Sequence, residues 1–442
     1  MRALFSKTVL GDLPDFQADP LAFVERHLTG ADKPVPVRFG PRRFVLAARP
    51  SAVRHVLVDN REVYDKGPEI AKLLPVFGES VVTSLSSSER WRDTRKTLAP
   101  TFGPKSLDHG LALALGVLGG EIAKMAASRL KPLNLHDTMG RISMRMAAAA
   151  LFHCAITDEQ ADTIQRSCAV AHERISESAW RPVDIDTLLP TPKRARFRDA
   201  IAGIHRVAGE VVASGGGILA GMRQLADTYG PDCLRNEAVT MLIAGFETTA
   251  STAGWLLYAL ASRPDLADWL REEADGAVTA GGDIPASKLR ELPRAKAIVQ
   301  EVMRLYPSTW WYARTAQADD LLDGVPVAKG TSVLLVPWVL HRQPDIWGAN
   351  AAEFDPTRFL GRPEHDRHAF VPFGAGPRVC LGQHLATYNL MAMAIAVVSA
   401  FDLIPLGPAL EDRRPFAGVT LGHPREGLTI AVNVRPRQRL AA

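Results

Sequence analysis

The sequence predicts a mainly α protein: one large helical unit with small β-sheets at its edges. Helix-period apolar patterns follow one another from about Ser88 to Leu305. Alternating, turn-bounded strand patterns flank that block on both sides. No internal repeat, low-complexity linker or clean change of composition divides the chain. The expected layout is a single domain over residues 1–442, with β-rich parts about 34–60, 313–340 and 401–434 and a helical core about 88–306 and 381–400.

Taken in order, Pro34 to Ala48 reads as two short strands around a turn at Gly40-Pro41, and Pro50 to Val58 as a short helix start. Helical patterns lie around Trp91 and over Gly110–Leu130, Thr138–Cys154, Asp158–Ser178, Arg194–Ser214 and Ala238–Ser262. Alanine-rich runs such as Met146–Leu151 favour helix. Ser214 to Gly217 is a loop; without a GK[ST] ending it is not a phosphate loop. Gly281-Gly282 marks another loop. Pro293–Leu305 is a helix with proline near its start and Pro307 just past its end, and Ile298, Val302 and Leu305 share its apolar face. Ala313–Leu322, Val325–Val327 and Thr331–Val336 read as strands. From about Gln343 to Gly382 the chain is irregular and rich in Pro, Gly and aromatics, a length of loop that usually carries function. A helix over Leu381–Ala400 and a last strand at Leu428–Val434 follow.

Composition narrows the function classes. The 442 residues are 47% hydrophobic and 23% charged, and the formal net charge of +4 is too small to argue for nucleic acid. The N-terminal MRALFSKTVLGDLPDF has no long apolar run and no small-residue cleavage site, so no secretory signal is expected. Ala238–Ser262 is long enough to cross a bilayer, but Glu247, Thr248 and Thr249 sit at its middle, where a carboxylate is costly. A buried core helix with a functional polar notch is expected instead, with no membrane span and a cytoplasmic location. The four cysteines show no paired spacing; Cys154 and Cys168 lie in apolar helical stretches and read as core.

Cys380 is different. It sits where a Gly/Pro-rich loop meets a helix, in FVPFGAGPRVCLGQHLA over 370–386. Helix N-terminal amides favour an anion there, which lowers a thiol's pKa and suits a ligand thiolate. Gly374 and Gly376 permit a tight turn and close approach to a flat cofactor, Pro377 stiffens the loop, Gly382 leaves room for a neighbour, and Arg378 can reach an anion. Phe373, Gly376, Arg378, Cys380 and Gly382 form F-x-x-G-x-R-x-C-x-G, and on that pattern the chain resembles the cytochrome P450 family. The resemblance implies that Cys380 is the axial ligand of a haem b iron, that Phe373 packs beside the ligand loop and that Arg378 binds a haem propionate.

Further motifs follow in the family's order. Glu301-Val302-Met303-Arg304 matches E-x-x-R, and Pro356-Thr357-Arg358-Phe359 matches P-x-R-F. The implied Glu301–Arg304–Arg358 network is structural, and loss of one member should cost about 3–5 kcal/mol. Ala244-Gly245-Phe246-Glu247-Thr248-Thr249 matches the oxygen-binding helix. Gly245 costs about 1 kcal/mol there relative to Ala, which a kink or widened turn making room for O2 would explain. By resemblance Thr248 hydrogen-bonds the bound oxygen and Glu247 relays protons. Trp91 and Arg95 match W-x-x-x-R, and with Arg314 they are expected at the propionates. Arg92, Arg95, Lys96 and Lys105 make a basic stretch that reads equally as a docking face for an acidic electron donor or as a solvated helix surface.

The 65–88 loop and the segment after Pro307 are expected to line the substrate cavity, with Phe77, Val82, Ala244, Trp310 and Trp311 as candidates and at most one of the tryptophans facing inward. Such a wall suits a hydrophobic small molecule: a fatty acid, terpenoid, carotenoid-like polyene or aromatic compound. The leading expectation is a monooxygenase using O2 and NAD(P)H electrons delivered by a separate ferredoxin and ferredoxin reductase or a similar donor. A peroxide-driven peroxygenase and a non-catalytic haem sensor or carrier are the alternatives; the intact Glu247-Thr248 pair argues against both.

Overall fold

The computed structural model describes residues 9–179, 191–277, 284–361 and 365–435; the Gly281-Gly282 loop lies outside them. The chain opens with two helices beyond those expected, α1 (Leu13–Ala18) and α2 (Pro20–Leu28), which bury Leu13, Phe16, Leu21, Phe23 and Val24 under the first sheet. After β1 (Val35–Phe39) and β2 (Arg42–Ala47) come α3 (Pro50–Arg54), a π-helical turn over His55–Asp59, β3 (Tyr64–Asp65) and α4 (Leu74–Phe77). The helical block is α5 (Glu89–Leu98), α6 (Pro104–Ala127), β4 (Leu133–Asn134), α7 (Leu135–Phe152), α8 (Asp158–Ala179), α9 (Pro192–Ser214), α10 (Leu219–Tyr229), α11 (Pro231–Ser262), α12 (Pro264–Ala274) and α13 (Pro293–Leu305). The C-terminal part holds β5 (Tyr312–Ala316), β6 (Asp320–Leu322), β7 (Val325–Val327), β8 (Ser332–Leu335), α14 (Gln383–Ala400), β9 (Phe401–Pro405), β10 (Phe416–Ala417), β11 (Leu421–Gly422) and β12 (Thr429–Val434).

The helices begin where local chemistry starts them. The Ser88 hydroxyl accepts from the Trp91 N–H at the head of α5, and the Asn134 side chain accepts from His136 and Asp137 at the head of α7. Proline stands in the first turn of α6, α9, α11 and α13, where its missing N–H costs nothing. From Thr249 to Ala261 every residue of α11 is buried, which makes this the central core helix and not a span. It packs on α7, α9, α10 and α14. Among the described residues one helix, α6, is long and apolar enough to cross a membrane; it packs against α7 and α14.

The sheets are small and separate. The largest has the order β1-β2-β8-β5-β3, with β2 and β8 parallel and the other pairs antiparallel. The pairing of Asp65 with Thr315 brings Lys66 and Arg314 to the same end of that sheet. A three-stranded sheet β4-β12-β9 and two hairpins, β6-β7 and β10-β11, complete the β structure. The 343–382 stretch is irregular apart from short helical turns.

Candidate active site

The Cys380 loop is held by its glycines and by one backbone bond. Gly374 and Gly376 both have positive φ, at 73° and 69°, and the Cys380 N–H donates to the Phe373 carbonyl at 3.0 Å. A Cβ on Gly376 would lie 1.9 Å from the Leu57 carbonyl oxygen, so this glycine lets the loop close on the π-helical turn. The Cys380 side chain is open to a cavity of about 430 Å³. Burial pushes its thiol pKa up, opposed by the Gly382 N–H and by Arg95. This corrects the expectation of a lowered pKa: burial outweighs both the Gly382 amide and Arg95. Coordination deprotonates a thiol outright, so the raised value is compatible with a ligand role.

Lys66, Arg95, Arg314 and Arg378 line this cavity, and none of its described lining residues is a carboxylate. Asp65 stands behind them, 3.8 Å from Arg378, its carboxylate bound by the N–H groups of Lys66, Ser86 and Ser87. Burial would raise the Asp65 pKa, but those bonds hold it below its ordinary value. The cations are crowded. Burial, then repulsion from Arg314 and Arg378, pushes Lys66 well down. Burial, then Arg314, brings Arg378 down to about 10. Burial also lowers Arg95 and Arg314. Arg378 stacks over the Trp91 ring at 4.6 Å and donates to the Ser84 carbonyl. Arg95 donates to the Val379 carbonyl at 2.6 Å. One carboxylate cannot balance four half-buried cations, so the set suits a doubly anionic group. Haem fits it: a thiolate donor for iron, cations for two propionates, and apolar walls from Val81, Val82, Leu151, Met241 and Leu385 for the ring and a substrate.

On α11, Ala244, Gly245 and Thr248 line the same cavity. The helix is α-helical from Pro231 to Ser262, with no π-helical turn at Gly245. Gly245 serves a close approach instead: its Cβ would stand 3.2 Å from that of Ala147 on α7. The Thr248 hydroxyl donates to the Ala244 carbonyl at 3.2 Å. Glu247 does not line the cavity. Its Oε1 lies 2.8 Å from His172 Nδ1 on α8 and accepts from the Thr420 hydroxyl at 2.9 Å.

Four other candidates lie elsewhere. Gly374 is outside the cavity lining, with Tyr312 the nearest neighbour of its would-be Cβ at 3.8 Å, whereas Phe373 and Gly382 line it. Trp310 and Trp311 face a second cavity of about 680 Å³, and the Trp310 indole N–H donates to the Gly418 carbonyl at 3.0 Å. Phe77 packs against the core at the end of α4, away from the Cys380 cavity; Val82 and Ala244 do line it. The structural network is assembled: Glu301 and Arg304 form two 2.7 Å contacts with neither side chain exposed, and Arg358 reaches Glu301 at 3.6 Å. Lys66 and Tyr312 were missed by sequence reasoning; Lys66 sits in an unpatterned loop and carried no motif signal, and neither did the pairing of His172 with Glu247.

The Cytochrome P450 family model matches residues 11–216 and 218–428. The chain is 30% identical over 390 residues to cyclooctat-9-en-7-ol 5-monooxygenase of Streptomyces melanosporofaciens, covering 84% of this chain and 83% of that protein. It is 27% identical over 407 residues to cyclooctatin synthase of the same organism, covering 88% and 86%. It is 26% identical over 438 residues to protein LUTEIN DEFICIENT 5, chloroplastic, of Arabidopsis thaliana, covering 90% and 71%. A helical core with small separate sheets, a lone cysteine on a cation-lined cavity and a family match along both halves lead to one conclusion: the chain belongs to the cytochrome P450 family and is a haem-dependent monooxygenase.

Proposed function

We propose that the chain holds haem b through the Cys380 thiolate and hydroxylates a hydrophobic small molecule, drawing NAD(P)H electrons through a separate ferredoxin and its reductase. The carrying observation is the cavity that places Cys380, four cations and Thr248 around one space. Bound haem supplies the activation of O2, one atom of which enters the substrate while the other leaves as water. The chain's own residues do the rest. Lys66, Arg95, Arg314 and Arg378 hold the propionates. Val81, Val82, Leu151 and Met241 keep water off the reacting face and favour an apolar guest. Thr248 presents a hydroxyl to the cavity, and Glu247, one residue away, brings protons to it. The intact Glu247-Thr248 pair supports O2 chemistry over peroxide-driven turnover. The Streptomyces relatives support a terpenoid-sized ring alcohol such as cyclooctat-9-en-7-ol as the first compound to try.

Lys96 and Lys105 are exposed beside α5, whose Arg95 touches the Cys380 loop, and this supports an acidic donor docking there. The absorption spectrum of dithionite-reduced protein under carbon monoxide tests the ligand. A strongly red-shifted Soret band is expected, and C380A should abolish it. Titration with cyclooctat-9-en-7-ol should shift the ferric spin state. A haem-loaded protein without the red-shifted band would overturn the thiolate assignment.

A further inference from the structure

Glu247 faces away from the cavity that its neighbour Thr248 lines, and it faces a histidine. His172 Nδ1 and Thr420 Oγ1 share the same carboxylate oxygen, at 2.8 Å and 2.9 Å. A permanent cation at that place would only neutralise Glu247, whereas an imidazole can give up its proton near neutral pH. The surroundings favour traffic. Ser176, one turn beyond His172 on α8, and Val419, next to Thr420, line the 680 Å³ second cavity. Ser308 and Thr309 line the Cys380 cavity while Trp310 and Trp311 line the second, so one thin segment parts the two spaces. The His172 side chain is 25% exposed and Glu247 18%.

We propose that His172 is the inlet of the proton relay, taking protons from water on the side of the second cavity and passing them through Glu247 to Thr248. The inference rests on the Glu247-Thr248 relay of the proposed function. In each transfer the His172 Nδ1–H bond breaks and an O–H bond forms on Glu247. Rotation of the Glu247 side chain carries the proton to the Thr248 hydroxyl, and water reprotonates the imidazole. One O2, two electrons from the donor and two such protons convert a substrate C–H to C–OH and release one water.

The charges around the pair set its pH range. Burial opposes the charged imidazole, but Glu247 holds the His172 pKa above its ordinary value of 6.5. Burial would raise Glu247, yet His172, the Thr420 hydroxyl and His136 on α7 hold it low. Cys168, one turn back on α8, stays a neutral thiol, its pKa pushed well up by burial and by Glu247. Each group thus shifts its partner toward the charged form, imidazolium beside carboxylate.

The test uses the haem-loaded protein with a heterologous ferredoxin and reductase, without organic substrate, so that O2 is the only acceptor. Two-electron reduction with poor proton delivery yields hydrogen peroxide, and four-electron reduction yields water. Hydrogen peroxide released per NADPH oxidised is measured from pH 6 to 9. In the wild type the peroxide fraction should rise with pH as His172 loses its proton. H172R keeps the ion pair but cannot release a proton; its peroxide fraction should be several-fold higher at pH 7 and flat with pH. E247Q should show the same rise. If E247Q raises the fraction and H172R matches the wild type at every pH, His172 merely positions Glu247 and the inference fails alone. If E247Q also matches the wild type, the relay itself fails. Nuclear magnetic resonance titration of histidine-labelled ferrous carbon monoxide protein gives a readout independent of turnover. The His172 midpoint should lie above 6.5 and drop in E247Q; an unchanged midpoint would overturn the coupling.

Discussion

Lys66 shows what a single side chain contributes to holding the cofactor. It lines the cavity in a loop directly after β3, crowded by Arg314 and Arg378, so without an anion its charge is held at a cost. Replacing it by methionine should leave the haem-free protein at least as stable by thermal melting. The same change should speed haem loss to apomyoglobin about tenfold, the effect of one charge-assisted hydrogen bond at about 1.5 kcal/mol. Glu237 on α11 is a second buried group with a measurable signature. It is 0% exposed, its Oε1 accepts from the Val81 N–H at 2.9 Å, and burial pushes its pKa up to about 8 despite Arg90 nearby. Between pH 4.5 and 8 the native carboxyl keeps a proton that the unfolded chain has lost. Its contribution is therefore whole below the unfolded pKa and falls away as pH rises through the folded one. E237Q keeps an acceptor for Val81 and cannot ionise. Compared with wild type, it should gain roughly 2–4 kcal/mol between pH 5.5 and 8.5, read from urea midpoints. An equal difference at both pH values would mean Glu237 titrates normally.

At the scale of elements, the two loop glycines make different demands. Both have positive φ, but only Gly376 faces a wall, the Leu57 carbonyl 1.9 Å from its would-be Cβ. G376A should therefore force the Cys380 loop off the π-helical turn and displace Phe373 and Arg378, giving little or no haem incorporation. G374A meets Tyr312 only at 3.8 Å and should cost about 1–2 kcal/mol of backbone strain while still binding haem. The ratio of Soret to 280 nm absorbance in the two purified variants reads this directly, and equal haem content would remove the role given to Leu57. What the sequence made legible at this scale follows the same logic of locality. The F-x-x-G-x-R-x-C-x-G loop, the acid–Thr pair and E-x-x-R are short-range patterns; Arg304 pairs with Glu301 as the i, i+3 spacing implied, and Cys380 and Thr248 line one cavity, but Glu247 turns to His172 instead. Helix α12 carries a local signal of the same kind, with Pro264 at its start and Leu266, Ala267 and Leu270 buried in period. The direction of Trp310 was not legible, because its indole N–H answers to the Gly418 carbonyl 108 residues away.

Across the whole molecule, exposed lysines stand on the helix that touches the Cys380 loop and at the start of the next. Arg95 of α5 donates to Val379, while Lys96 on the same helix and Lys105 at the start of α6 are exposed. Composition could not reveal this, since a net charge of +4 says nothing about where the excess sits. An electron donor docked on these lysines would stand one helix from the cysteine loop, and the contact would be rim electrostatics, which act on association rate more than on affinity. K96E/K105E should accordingly slow reduction by a ferredoxin about tenfold at low salt, with the deficit shrinking as ionic strength rises and screening shortens the reach of every charge. Reduction by dithionite and the carbon monoxide spectrum should be untouched, because neither lysine lines the Cys380 cavity. Stopped-flow reduction at 20 and 300 mM salt separates the outcomes, both concentrations chosen to bracket a Debye length of about 10 Å. A deficit independent of salt would place the donor elsewhere and leave Lys96 and Lys105 as solvated surface.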